Sequence, residues 1–261
     1  MTRTGICVAL ALMPAVAAGQ LDLSQYRIVD LTHPFNAQTI YWPTSTETFK
    51  LNRTAFGQTP GGWFYSSNSL ATPEHGGTHL DAPIHFSANG RPTDQVPLNQ
   101  LIGPAIVIDI SAKAAANRDY LLTDRDVREF ERANGLILPG SIVLLRTGWS
   151  RRWPDKKAYL GDDTPGDASK LHFPSFGADA ARMLITIRRV AALGADVASI
   201  DYGPSTNFAV HQLAGRSNVP GLENLTNLDQ LPAKGATIIA LPMKIQGGSG
   251  GPLRAVALVP K

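Results

Sequence analysis

The sequence predicts an α/β fold: one compact mixed-sheet domain with β-rich layers and flanking helices. Three observations point to it. Strand-length apolar runs at 104–110 and 141–147 are separated by a helix-forming stretch, the alternation that gives parallel pairs. The part before residue 80 reads as short strands and loops, and the chain closes on two more strands split by glycines. Those β-rich ends argue against a purely doubly wound sheet.

Each element has a local reason. Residues 27–32 (Arg-Ile-Val-Asp-Leu-Thr) alternate enough for a strand. Tyr41-Trp42-Pro43 then opens a Thr- and Ser-rich stretch of loops and short strands. The run 74–86 cannot be one regular helix, because Gly76, Gly77 and Pro83 oppose it. The run 104–110 is continuously apolar, as a strand buried on both faces requires. Thr123-Asp124-Arg125-Asp126 resembles a capping box opening a helix to about Asn134, with Gly135 closing it. Residues 141–147 form another buried strand, and the charged, Pro- and Gly-bearing 151–170 reads as a surface insertion. Apolar residues at helical spacing predict a helix over 178–193, stopped by Gly194. Strands follow at 197–202, 237–245 and 253–259.

Composition bounds the function. The chain has 261 residues, 43% hydrophobic and 17% charged, with a formal net charge of +3. That suits one large folded domain or two small ones. No block of five Lys or Arg occurs, so nothing marks a nucleic-acid partner. The glycine stretch 247–251 lacks a P-loop lysine and a following helix, which excludes phosphate cradling. Arg3, an apolar stretch over 6–17 and Ala15-Val16-Ala17 read as a cleavable secretory leader over 1–19; an uncleaved membrane anchor is the alternative. The expected mature domain is 20–261, exported to the periplasm or secreted, with no stable membrane association. The only cysteine, Cys7, lies in the leader. Any metal in the mature chain must then be held by nitrogen and oxygen.

The chemistry concentrates in Glu74-His75-Gly76-Gly77-Thr78-His79-Leu80-Asp81-Ala82-Pro83-Ile84-His85-Phe86. Three of the six histidines fall within 75–85, with Asp81 among them. His75, His79 and Asp81 can close on one divalent ion, which leaves His85 as an acid/base. His211 and Glu223 form a second candidate group, although Glu223 could equally be a charge at a helix start. Trp42, Trp63, Phe64 and Tyr65 could line a pocket for a flat substrate, or could simply pack. His33 and His172 have no comparable neighbours and read as structural or surface residues.

This run resembles the hallmark of the cyclase family of metal-dependent hydrolases, which includes bacterial kynurenine formamidase and isatin hydrolase. The pattern His-x-Gly-Thr-His-x-Asp-x-Pro-x-His is matched at every position from His75 to His85. Family-like segments recur at Arg146-Thr147-Gly148-Trp149, at 199–205, and from Leu241 through Gly250-Gly251-Pro252. The resemblance implies His75, His79 and Asp81 as metal ligands and His85 as the acid/base. It implies His211 and Glu223 as completing a two-metal site, Gln212 as a further substrate contact, manganese or zinc as one or two ions, and a homodimer. The Tyr41-Trp42-Pro43 and Glu74-His75-Gly76-Gly77 segments look more like the isatin-hydrolase branch.

The function expected is hydrolysis of a C–N amide bond in a small aromatic or cyclic amide such as isatin. Glu223 would bind a second ion or hold the nucleophile in line. Alternatives are an arylformamidase acting on N-formylkynurenine, a non-catalytic periplasmic metal-dependent binding protein, and an iron oxygenase built on His79-Leu80-Asp81.

Overall fold

A computed structural model describes residues 22–261; the leader reading at 1–19 lies outside them. The strands are β1 (Tyr26–Asp30), β2 (Lys50–Gln58), β3 (Phe64–Ala71), β4 (His79–Asp81), β5 (Ile102–Asp109), β6 (Leu121–Leu122), β7 (Ile142–Arg146), β8 (Ser175–Phe176), β9 (Ala192–Ala195), β10 (Gly221–Glu223), β11 (Lys234–Pro242) and β12 (Gly250–Pro260). The helices are α1 (Leu98–Leu101), α2 (Ser111–Ala116), α3 (Asp124–Asn134), α4 (Lys156–Leu160), α5 (Ala178–Arg182) and α6 (Ala209–Arg216). No helix among the described residues is long and apolar enough to cross a membrane.

The main sheet runs β1-β12-β11-β5-β7-β9-β10-β4, and β4 pairs again with β12. Seven strands therefore close on themselves, with β1 laid along β12 outside the ring. Its β5-β7-β9-β10 portion is parallel, and the other pairs are antiparallel. The mixed sheet expected from the sequence is present.

Alternation explains the closure. Ala105, Val107, Ile142, Leu144, Leu80 and Leu222 share one apolar cluster with Ala236, Ile238, Ala255 and Ala257. Residues from strands so far apart in order meet only inside a closed sheet. The opposite faces of β5 and β7, through Ile106, Ile108, Val143 and Leu145, pack against Val127 of α3, Ala180 and Ala181 of α5, and Val210 of α6. Both faces of β5 and β7 are buried, hence their unbroken apolar sequences.

Three expectations need correction. The helix over 178–193 ends much sooner: α5 passes into a π-helical turn at Met183–Ile187, Arg189 turns to φ 52°, and the chain enters β9. Gly194 lies inside that strand, where a Cβ would come within 2.7 Å of Leu144, so it marks close strand packing and not a helix stop. The strand over 197–202 does not form; it makes one bridge, Phe176 with Asp201, because its backbone serves the site described next. The segment 151–170 is no mere surface insertion, since Tyr159 and Leu160 of α4 are fully buried and Trp149 Nε1 donates to Tyr159 O.

Candidate metal centre and aromatic cavity

The run 74–86 forms a loop, then β4, then a single 3-10 turn over Pro83–His85. Gly76 and Gly77 take φ of 133° and 59°, and a Cβ on either would strike the ring of Tyr41 or Phe35. The loop can fold this tightly only with glycine at both positions. In β4 the alternation of side chains sends Leu80 into the closed interior and His79 and Asp81 to the opposite face. Register does the rest: Glu223 lies opposite His79, and Gly221 and Gly250 flank Asp81 on either side. Glu223 thus sits at the end of a strand and not at a helix start. His211 comes from α6, whose first N–H groups, at Val210 and His211, donate to the Asp201 carboxylate.

The hydrogen bonds decide which imidazole nitrogens are free. His79 Nδ1 donates to Gly77 O at 3.0 Å, which leaves Nε2 bare. That Nε2 faces Asp81 Oδ1 at 3.2 Å and Glu223 Oε2 at 3.5 Å. His211 Nδ1 donates to Asp201 Oδ2 at 2.7 Å, and its Nε2 faces Asp81 Oδ2 at 2.9 Å and Glu223 Oε1 at 3.1 Å. His75 places Nε2 2.9 Å from Ser249 Oγ and Nδ1 2.6 Å from Asp81 Oδ1. Each ring has one nitrogen satisfied from outside and the other aimed at buried carboxylate oxygens. Lone pairs pointed at lone pairs need positive charge between them, from a proton or a cation. Two donor sets follow, His75–His79–Asp81 and Asp81–His211–Glu223, sharing Asp81. They contain only nitrogen and carboxylate oxygen, which suits a hard or borderline divalent ion.

The electrostatics agree. Burial by itself would raise the Asp81 carboxyl, but His75, His211 and His79 hold it well below the usual carboxylate range. Burial would lower His211, yet Asp201, Asp81 and Glu223 hold it well above the ordinary imidazole value. His85 is different. Burial pushes it down to about 4, so it is neutral at pH 7. Its ring stacks on His75 at 3.8 Å, against the cluster but outside it.

Above these groups is a cavity of about 250 Å³. Its walls include Tyr41, Trp42, Phe86, Leu160 and Phe208, with His85 beside the carboxylates. No Lys or Arg lines it among the described residues.

The structure brings His75, His79, Asp81, His85, His211, Glu223 and Trp42 together. It does not bring Trp63, Phe64 or Gln212. Trp63 and Phe64 ride on the β2–β3 ribbon, which pairs only with itself, and are 62% and 54% exposed. Gln212 lies along α6, donating to Asn207 O and accepting from Arg216. Sequence reasoning missed Asp201, Phe86, Phe208 and Asn224. Phe86 was adjacent to His85 and could have been read with it; Asp201 lies well before α6 and carried no local signal. His33 is buried and stacks on Trp153, and His172 pairs with Asp119, both away from the cluster.

Comparison with known proteins gives a consistent picture. The Cyclase family model matches residues 29–202. An isatin hydrolase of Roseibium aggregatum is 39% identical over 209 residues, spanning 77% of this chain and 77% of that protein. A kynurenine formamidase of Salinibacter ruber is 30% identical over 238 residues, 88% of this chain and 96% of that protein. The solved structure of isatin hydrolase A from Ralstonia solanacearum matches with a TM-score of 0.82 at 34% identity, covering 98% of this chain and 100% of that one.

Proposed function

This chain belongs to the cyclase family, and from that premise we propose that it is a metal-dependent hydrolase opening a cyclic aromatic amide such as isatin. The observation that carries this reading is the set of three outward-anchored imidazoles turned on two buried carboxylates beneath an aromatic cavity. His75, His79 and Asp81 would hold one divalent ion, and Asp81, His211 and Glu223 would hold a second. Manganese and zinc both suit these donors.

A divalent ion held there would supply charge to a carbonyl oxygen and acidity to a water. The remaining work belongs to the chain. Trp42, Phe86 and Phe208 give the cavity an apolar wall against which a flat ring can lie, and they exclude bulk water. His85, neutral at pH 7, takes a proton on a ring nitrogen from the attacking water and returns it to the departing amide nitrogen. Its stack on His75 fixes the plane in which it does so. Glu223 is held by the Ile200 N–H at 2.8 Å, which aims its carboxylate at His211.

Two further points belong to the same proposal. The 39% identity to an isatin hydrolase, against 30% to a kynurenine formamidase, favours a cyclic amide over N-formylkynurenine. The exposed apolar faces of the β2–β3 ribbon support a homodimer. A leader over 1–19 would export the enzyme.

The test is hydrolysis by the purified chain supplied with manganese or zinc, with isatin and N-formylkynurenine offered side by side and a chelator control. Chelator-sensitive opening of isatin is the expected result. Preferential cleavage of N-formylkynurenine would move the chain to the formamidase branch, and turnover indifferent to chelator would overturn the metal reading.

A further inference from the structure

Glu74 precedes the ligand loop, and Ser249 lies in the glycine stretch 247–251, 174 positions after His75. The backbone N–H and the hydroxyl of Ser249 both donate to Glu74 Oε2, at 3.0 and 2.6 Å. A carboxylate accepts and does not donate, so the hydroxyl hydrogen is committed to Glu74. What Ser249 Oγ offers His75 Nε2 is therefore a lone pair. His75 must carry a hydrogen on Nε2, and Nδ1 is turned on Asp81 Oδ1 at 2.6 Å, where a proton or a cation has to lie between them.

The glycines explain how this contact is reached. A Cβ on Gly250 would come within 2.6 Å of both His75 Cε1 and Leu80 O, and one on Gly248 within 2.6 Å of Glu74 Oε1. The stretch packs flat against the ligand ring because it has no side chains there. It is pinned from behind by Ala82 N to Ser249 O at 2.8 Å, and by Thr93 Oγ1 to Gly248 O and Gly250 O, both at 3.0 Å.

We propose that Glu74 and Ser249 are positioning residues that set the tautomer and ring angle of His75, making Nδ1 the atom offered to the ion. The stretch 247–251 is the clamp that carries Ser249 into place. This deepens the metal reading above and rests on it for the ion.

The experiment has two arms. In the first, nitrogen-15 histidine spectra of the chain loaded with diamagnetic Zn²⁺ are taken. His75 is assigned by its loss in His75→Gln. Wild type should show the Nε2–H form, Ser249→Ala a mixture of both forms, and Ser249→Thr, which keeps the hydroxyl, the wild-type form. In the second arm, Mn²⁺ affinity is measured by chelator competition. Ser249→Ala should bind about 10- to 100-fold more weakly, the usual cost of losing an outer partner of a metal-bound histidine. Glu74→Gln should also weaken binding, and Ser249→Thr should not. If Ser249→Ala leaves either readout at its wild-type value, the proposal fails. A wild-type chain that binds neither Mn²⁺ nor Zn²⁺ would instead overturn the metal reading, and this proposal with it.

Discussion

At the residue scale, His85 and its neighbour His75 share a stack yet have opposite duties. His75 has both nitrogens engaged, one with Asp81 and one with Ser249. His85 is kept neutral by burial and keeps its nitrogens for the substrate. His85→Ala should therefore retain bound metal, by elemental analysis, while kcat falls by a factor of about 10² to 10⁴, the usual share of a positioned acid/base. His79→Ala and Asp81→Ala should lose both metal and turnover. A His85→Ala variant with a near-normal rate would remove the acid/base assignment. The grouping of His75, His79 and Asp81 was legible in the sequence because their spacing is local, from 75 to 81. Asp201 was not, because its contact with His211 depends on where α6 begins.

At the element scale, legibility followed the range of the signals. The helix α3 was readable to the residue: Thr123 Oγ1 accepts from Asp126 N, the Asp126 side chain accepts from Thr123 N, and Gly135 ends the helix. The 178–193 stretch was not, because its apolar positions run through two elements that bury the same face. The 197–202 strand failed for another reason. Its Ile200 N–H goes to Glu223, and its Val197 carbonyl takes the Asn224 N–H, so the site consumes the ladder. The cap of α3 has a measurable pH signature. Although burial opposes it, the Lys113 ammonium and the Thr123 and Tyr120 donors hold Asp126 at about 2. Its ordinary value is near 3.8. The carboxylate thus adds ~2 kcal/mol of stability above about pH 4, lost as pH falls through the folded value near 2. Asp126→Asn should cost about that much in urea unfolding at pH 7, and the deficit should shrink between pH 4 and pH 3. A deficit that stays constant over that window would assign the cost to packing.

At the scale of the whole molecule, the mixed sheet was legible and its closure was not. Closure depends on three-residue ladders on both edges of β4, too short to leave a pattern in sequence. The β2–β3 ribbon is the other feature of this scale. Leu51, Phe56, Trp63, Phe64, Tyr65 and Leu70 are each more than half exposed on a two-stranded element, a form with little stability of its own. Light scattering should give twice the chain mass, and Phe56→Ser with Phe64→Ser should shift the protein toward monomer. A monomeric wild type would remove the dimer reading. The closing strand also carries the chemistry, and this has a consequence for timing. His79 and Asp81 are made early in synthesis, but their strand stays unpaired on one edge until residues 250–252 arrive. A nascent chain therefore has His79 and Asp81 long before it has the centre they belong to, and only its last strand completes that site.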